Sequence, residues 1–247
     1  MEQSKERGGL SAFLLHLIAM GAMLCDHLWA SFVALDLLTW LGRIAFPLFA
    51  FMLVEGYFHT RSIKKYALRL LLFALLSEIP FNLFCAGGWF YPFHQNVLWT
   101  LLLSLLGIHL IEITRRRNRR WVTLLVAVAV AVIGYLLGFL TMVDYYGYGV
   151  LTVLIFYFFR ERKWYCLLLQ IILLGYINFE MMGGLSVPVR IFGGTWNFPQ
   201  QGMALLALIP IWLYRGRQGP HNRIIKYSFY AFYPLHMLLL FVLQRII

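Results

Sequence analysis

Nine stretches of this chain are apolar over most or all of the distance a bilayer demands, and that limits the fold before any single residue is considered. A helix needs about 20 apolar residues to cross roughly 30 Å of hydrocarbon. Within lipid only helices and closed barrels satisfy their own backbone groups. The stretches are approximately Leu10–Leu35, Leu41–His59, Ile63–Phe84, Asn96–Ile113, Trp121–Leu140, Tyr146–Phe159, Trp164–Phe179, Gly202–Tyr214 and Ile224–Arg245. The sixth, seventh and eighth are short, so broken or tilted helices are expected there. Composition agrees: 62% of the 247 residues are hydrophobic and 13% charged, against about 25% charged in ordinary soluble domains. The expected fold is all-α, a polytopic membrane bundle of about nine helices forming a single domain over residues 1–247. Leu10–Leu35 is too long for a signal peptide, contains Asp26-His27 and lacks a small-residue cleavage site after it, so it is expected to stay as the first span.

Charge sets the orientation. Taking alternate loops from the N-terminus, Lys5 and Arg7 precede the first stretch, and Arg61, Lys64 and Lys65 follow the second. Arg115, Arg116, Arg117, Arg119 and Arg120 follow the fourth, Arg160, Arg162 and Lys163 the sixth, and Arg215, Arg217, Arg223 and Lys226 the eighth. Seventeen of the 21 Lys and Arg fall in this one set of loops. Cytoplasmic loops collect Lys and Arg, which puts the N-terminus in the cytoplasm and the C-terminus outside. The same topology accounts for most of the net charge of +11, so no nucleic-acid partner is expected. The opposite loops, residues 86–94 and 183–199, are rich in Gly, Pro and aromatics, and the second is long enough for a re-entrant segment. Cys25, Cys85 and Cys166 stand singly in apolar surroundings with no CxxC pair, so neither a disulfide framework nor zinc is indicated. No HExxH-like spacing points to another metal, and no metal site is expected.

Ionisable residues inside spans are costly and mark function by default. The first stretch carries His16, Asp26 and His27. At about 100° per residue, eleven residues make three turns plus roughly 20°, so both His rings leave one face, about 16 Å apart. With the orientation above, Asp26, His27, Arg43, Glu78, Asn82, Asn96 and Asp144 come to the outer half. His16, Glu55, His59 and Arg69 lie on the inner side, and His236 falls near mid-depth. Two polar clusters at different depths imply a polar path through the bundle. More local readings exist for several of them. Arg43 and Arg69 can snorkel to an interface, Glu55 and His59 sit at i,i+4 as a local pair, and Asp144 can cap a helix start. His94 and His221 are loop residues with no case for chemistry.

The blocks Arg43-Ile-Ala-Phe-Pro-Leu-Phe-Ala-Phe-Met-Leu-Val-Glu-Gly-Tyr-Phe-His59, Thr60-Arg61, Lys64-Lys65-Tyr66 and Ser77-Glu-Ile-Pro-Phe-Asn82 resemble the TraX family of bacterial membrane proteins. So do Asp26-His27, Asn96-Val97, Asp144-Tyr-Tyr-Gly-Tyr-Gly149, Ala207-Leu-Ile-Pro210 and Lys226-Tyr-Ser-Phe-Tyr-Ala-Phe-Tyr-Pro-Leu-His236. The resemblance runs in order over nearly the whole chain. It implies a multi-pass protein of the bacterial cytoplasmic membrane. TraX is named for N-acetylation of F pilin, and the family is similar to membrane acyltransferases that carry acyl groups from cytoplasmic acyl-CoA to acceptors at the other face. In that wider group a polar or basic residue on the first helix is followed eleven residues later by a catalytic histidine. His16 and His27 match that spacing, with histidine at a position where relatives often carry Lys or Arg.

The resemblance thus implies acetyl-CoA as acyl donor and His27 as general base or acyl carrier, since a neutral imidazole near pKa 6.5 suits proton abstraction. Asp26 or Glu78 would orient its ring, and Arg43 or Asn82 would donate to the oxyanion. The donor would be held by His16, Glu55, Lys64, Lys65, Arg69, Arg115, Arg215 and His236. The acceptor class stays open among a pilin-like protein, an amino sugar, a cell-surface polymer and a lipid. Two other functions remain. A proton-coupled transporter or flippase would use the same groups as a relay, and a non-catalytic assembly factor would use the outer aromatics as contacts.

Overall fold

The structure, a computed structural model, describes residues 9–33, 35–191 and 193–246. Lys5 and Arg7, the first members of the basic set, lie outside these. The elements in order are β1 (Leu10–Ser11), α1 (Ala12–Ser31), α2 (Asp36–Gly42), α3 (Ala45–His59), α4 (Ile63–Ala86), α5 (Val97–Arg116), α6 (Arg120–Leu140), α7 (Tyr146–Phe158) and α8 (Trp164–Tyr176). A π turn, Ile177–Met181, continues α8. Then come β2 (Ser186–Ile191), β3 (Gly194–Pro199), a 3-10 stretch Gln200–Ala207, α9 (Leu208–Leu213), β4 (Tyr214–Arg217) and α10 (Arg223–Ile246). The molecule is an all-α membrane bundle. Among the described residues seven helical runs are long and apolar enough to cross a bilayer: α1, α2 with α3, α4, α5, α6, α8 with its π turn, and α10. Two shorter apolar runs, Tyr146–Phe158 and Gln200–Leu213, fall where the sixth and eighth stretches were expected.

Helix ends follow local chemistry. The Ser11 and Ser62 hydroxyls accept from the backbone N–H groups of Leu14 and Lys65, capping α1 and α4. Asn96 caps α5 through Leu98 N–H at 3.1 Å. Gly87 ends α4 in the left-handed conformation, φ 68°. Asp144 does not cap α7. Its Oδ1 accepts from Tyr145 N–H at 3.0 Å, ahead of the helix, and Tyr145 takes the cap position at φ 62°.

The core is continuous through α1, α3, α4, α5, α7 and α10, with Leu15, Leu48, Val54, Leu105, Ile108, Phe156 and Met237 sealed. Glycine sets the closest approaches. A Cβ on Gly138 of α6 would lie 2.6 Å from the Gly147 backbone of α7, so only two glycines let these helices meet. By contrast α6 leaves Leu125, Val132, Leu136 and Leu140 uncovered, the face expected against lipid.

Contacts give the sense of each helix. His16 meets Phe229 and His27 meets His236, so α1 and α10 run the same way. Phe73 meets Tyr230, and Arg245 approaches Gly87, so α4 runs with them. Tyr57 meets His109, and Glu112 meets Tyr157, so α3, α5 and α7 reach a common end. That end gathers Arg61, Arg115, Arg160, Arg162, Arg215 and Lys226 around two cavities. At the opposite end the described residues of this loop, 183–191 and 193–199, form no re-entrant helix. Alternating Ser-Val-Pro-Val-Arg-Ile and Gly-Thr-Trp-Asn-Phe-Pro pair antiparallel from Ser186↔Pro199 to Ile191↔Gly194, with Gly193 at φ 80° in the turn. At the basic end β1 pairs in parallel with β4, tying the start of α1 to the approach to α10.

Candidate functional site

Adjacent residues on a helix point about 100° apart, so Asp26 and His27 cannot share a partner. Asp26 turns to α2. Its Oδ1 accepts from the Thr39 hydroxyl at 3.0 Å and faces Arg43 Nη2 at 3.1 Å. Gly42 makes room, since a Cβ there would sit 2.4 Å from that of Asp26. Arg43 also donates to Thr39 at 2.8 Å and to Gln201 Oε1 at 3.4 Å, and Gln201 donates to Asn178 at 3.1 Å. The guanidinium is therefore held within the protein rather than extended to an interface.

His27 turns instead to α10. Its Nδ1 lies 2.8 Å from His236 Nε2, the two rings are nearly parallel at 12°, and Phe84 of α4 flanks it at 5.4 Å. His236 is buried, stacks on Phe232 with centroids 4.7 Å apart, and bonds the Phe232 carbonyl through Nδ1 at 2.8 Å. This corrects the expectation that Asp26 or Glu78 orients His27. Asp26 belongs to Arg43. Glu78 Oε2 accepts from Asn96 Nδ2 at 2.5 Å and from Trp99 Nε1 at 3.0 Å, and its Oε1 is buried without a protein partner. Asn82, also buried, gives Nδ2 to the Trp89 carbonyl at 3.4 Å and leaves Oδ1 unpartnered. His236, expected with the donor-binding set, stands beside His27.

Below this pair a cavity of about 740 Å3 opens at the basic end. His16, Glu55, His59, Arg61, Arg69 and Lys226 line it, so the four inner-side residues of the sequence reading do converge. Its deep end is formed by Met23, Val97, Leu98 and Tyr233. Met23 is one turn before His27 on α1, and Tyr233 packs edge-on to His236 at 5.7 Å. His27 itself is not in the lining. His16 bonds the Ala12 carbonyl at 2.8 Å and stacks on Phe229 at 4.7 Å. Arg69 lies over the Tyr66 ring with its Nε buried and unpartnered. Glu55, the one acidic residue in the lining, is matched by Arg160 at 2.6 Å. The wall thus carries unbalanced positive charge.

A second cavity of about 600 Å3 shares Phe51, Glu55, His59, Tyr214 and Gly216 with the first and is lined further by Arg115, Arg160, Arg162 and Arg215. Arg115 pairs with Glu112 at 3.1 Å, and Arg162 donates to the Trp212 and Tyr214 carbonyls. Lys64 and Lys65, expected with the donor, are exposed and line neither cavity. His221, set aside on sequence, lines the first. Gln201, Asn178, Glu112 and His109 were missed. A buried amide gives no signal in an apolar run, and His109 sits in the middle of one, bonded to Tyr57 at 3.2 Å. Among the described residues no group of three or more His, Cys, Asp or Glu converges as metal ligands would.

These features define a multi-pass helical membrane protein with a pair of histidines, His236 buried and His27 half-buried, set over a basic-ended cavity. The chain belongs to the TraX family: the model of that family, TraX protein, matches residues 11–244. It is similar to a protein of Dichelobacter nodosus described as "Probable fimbrial assembly protein FimC, serogroup H1", with 30% identity over 252 residues, covering 93% of this chain and 94% of the relative. No solved structure matches.

Proposed function

We propose that the protein is a membrane-embedded acyltransferase. It takes an acetyl group from cytoplasmic acetyl-CoA and delivers it to an amine or hydroxyl at the outer side, with His27 at the centre of transfer. The observation that carries the reading is the 740 Å3 cavity, entered from the basic end and reaching to one turn below His27. Its size falls in the range of small-molecule sites, roughly 300–1,000 Å3. The donor fits it chemically. The anionic nucleotide suits Arg61, Arg69 and Lys226 of the lining, with Arg115 and Arg215 beside it, and the thin pantetheine arm suits the apolar part between Met23, Leu98 and Tyr233. The cavity stops short of the imidazole, so side chains at Met23 and Tyr233 have to part for the thioester to arrive.

In direct transfer His27 removes the proton from the acceptor as its nitrogen or oxygen bonds to the thioester carbonyl. The tetrahedral intermediate then expels the CoA thiolate, which receives that proton. In a two-step route the imidazole itself carries the acetyl group. Nine crossings with the N-terminus inside complete the proposal, with residues 1–247 acting as one unit in the bacterial cytoplasmic membrane. The parallel run of α1, α4 and α10, opposed by α3, α5 and α7, supports an odd number of crossings. A pilin-like acceptor is favoured over a sugar or lipid by the description of the Dichelobacter nodosus relative as a probable fimbrial assembly protein. The same description also supports a second reading, an assembly factor without catalysis.

Membranes carrying the wild type or His27→Ala, supplied with radiolabelled acetyl-CoA, test the proposal. Loss of transfer by about 10²–10⁴-fold in the variant is expected, the usual contribution of a general base. Undiminished transfer removes His27 from the chemistry. Label retained on the wild-type protein and not on the variant selects the two-step route. An assembly factor would give no transfer and no thermal stabilisation by CoA.

A further inference from the structure

We propose that His236 is a positioning residue, which fixes His27 in the tautomer whose free lone pair lies on Nε2. Its catalytic consequence rests on the acyl-transfer reading; the tautomer itself does not. The argument begins at a backbone atom. The Phe232 carbonyl can only accept, so His236 Nδ1, 2.8 Å away, carries the hydrogen. A neutral imidazole has one N–H, which leaves His236 Nε2 as an acceptor. That nitrogen lies 2.8 Å from His27 Nδ1, so His27 must be the donor there. The lone pair of His27 is then confined to Nε2, the nitrogen left free to meet an acceptor's proton.

The packing holds this arrangement. His236 is 5% exposed, stacked on Phe232 and met edge-on by Tyr233, and it is anchored on α10 independently of α1. A second imidazole in this place suits a membrane. A carboxylate orienting the ring would bury a full charge in low dielectric, whereas His236 is neutral until needed. When Nε2 of His27 gains a proton, its Nδ1 proton moves toward His236 Nε2. The charge spreads over two rings, and the pair keeps the one proton taken from the acceptor until it passes to the CoA thiolate. Asp26, the neighbour that sequence places closest, is already committed to Arg43 and Thr39.

The test reads nitrogen protonation directly. Protein labelled with 15N-histidine, with His27 assigned by difference from His27→Ala, is expected to show hydrogen on His27 Nδ1 and none on Nε2. In His236→Phe the acceptor is gone, and His27 is expected to become a mixture of both tautomers. His236→Gln offers a side-chain oxygen near the former Nε2 and is expected to restore the wild-type pattern. Hydrogen on His27 Nε2 in the wild type, or a His27 signal indifferent to His236→Phe, overturns the proposal. In turnover, kcat is expected to fall on the order of 10²-fold in His236→Phe, with KM for acetyl-CoA unchanged and partial recovery in His236→Gln. Equal losses in the two variants overturn the positioning role. A wild type that transfers no acetyl group defeats the acyl-transfer reading, while the nitrogen spectra still decide the case for His236.

Discussion

His94 and Asp144 meet between two loops at the end away from the arginines, with Nε2 3.5 Å from Oδ1. The hydrogen bond to Asp144 is the main cause that lifts the His94 pKa above its ordinary 6.5, outweighing partial burial. A group whose folded pKa is raised adds stability below its unfolded value, and that stability is lost as pH rises through the folded value. The difference in Tm between wild type and His94→Gln in detergent is therefore expected to be largest near pH 5.5–6 and to close as the solution turns alkaline. A difference that stays constant from pH 5.5 to 8.5 would show that the contact does not depend on the imidazolium. At this scale the sequence told which residues are out of place in lipid and not whom they meet. His16, Asp26, His27, Arg43 and Glu78 stand out by chemistry alone. That Asp26 and His27 serve different helices follows from helical geometry, but the choice of α2 for one and α10 for the other is tertiary. The partner ring lies 209 residues along the chain from His27, and no local pattern connects them.

Among the elements, α2 with α3 shows what periodicity can and cannot give. The apolar run from Leu41 to His59 was legible as one span, and the charge-bearing start at Arg43 with it. The break between Gly42 and Ala45, and the extension of the run back to Asp36, were not. Gly42, just before the break, lies against Asp26, an approach that a single sequence does not disclose. Gly42→Ala is expected to push Asp26 off Thr39 and Arg43 at a cost of about 1–3 kcal/mol, the usual range for overpacking. A lowered Tm in detergent checks it, and an unchanged Tm would mean that α2 moves aside freely. The hairpin Ser186–Pro199 was legible only as a long loop rich in Gly and aromatics. Its alternation is short, and Pro188 and Pro199 weaken any strand reading.

For the whole molecule the alternation of basic loops carried the most information, because it depends on counting rather than on packing. It anticipated one end of the bundle where arginines collect, and that end holds both cavities. In a background with the three native cysteines replaced, Trp196→Cys is expected to react with an impermeant maleimide from outside intact cells, and Arg117→Cys only after lysis. The reverse pattern would invert the topology and place the cavity mouth away from cytoplasmic CoA. The order of synthesis adds a constraint of its own. Chains emerge at roughly 5–20 residues per second, so the 209 residues between the paired rings take roughly 10–40 s to make. Through that interval the His27 imidazole has no partner from α10, while both members of the Asp26–Arg43 pair have already been made. A chain that stops before Arg223 has no α10, and His27 is then left without the ring that meets it in the folded bundle.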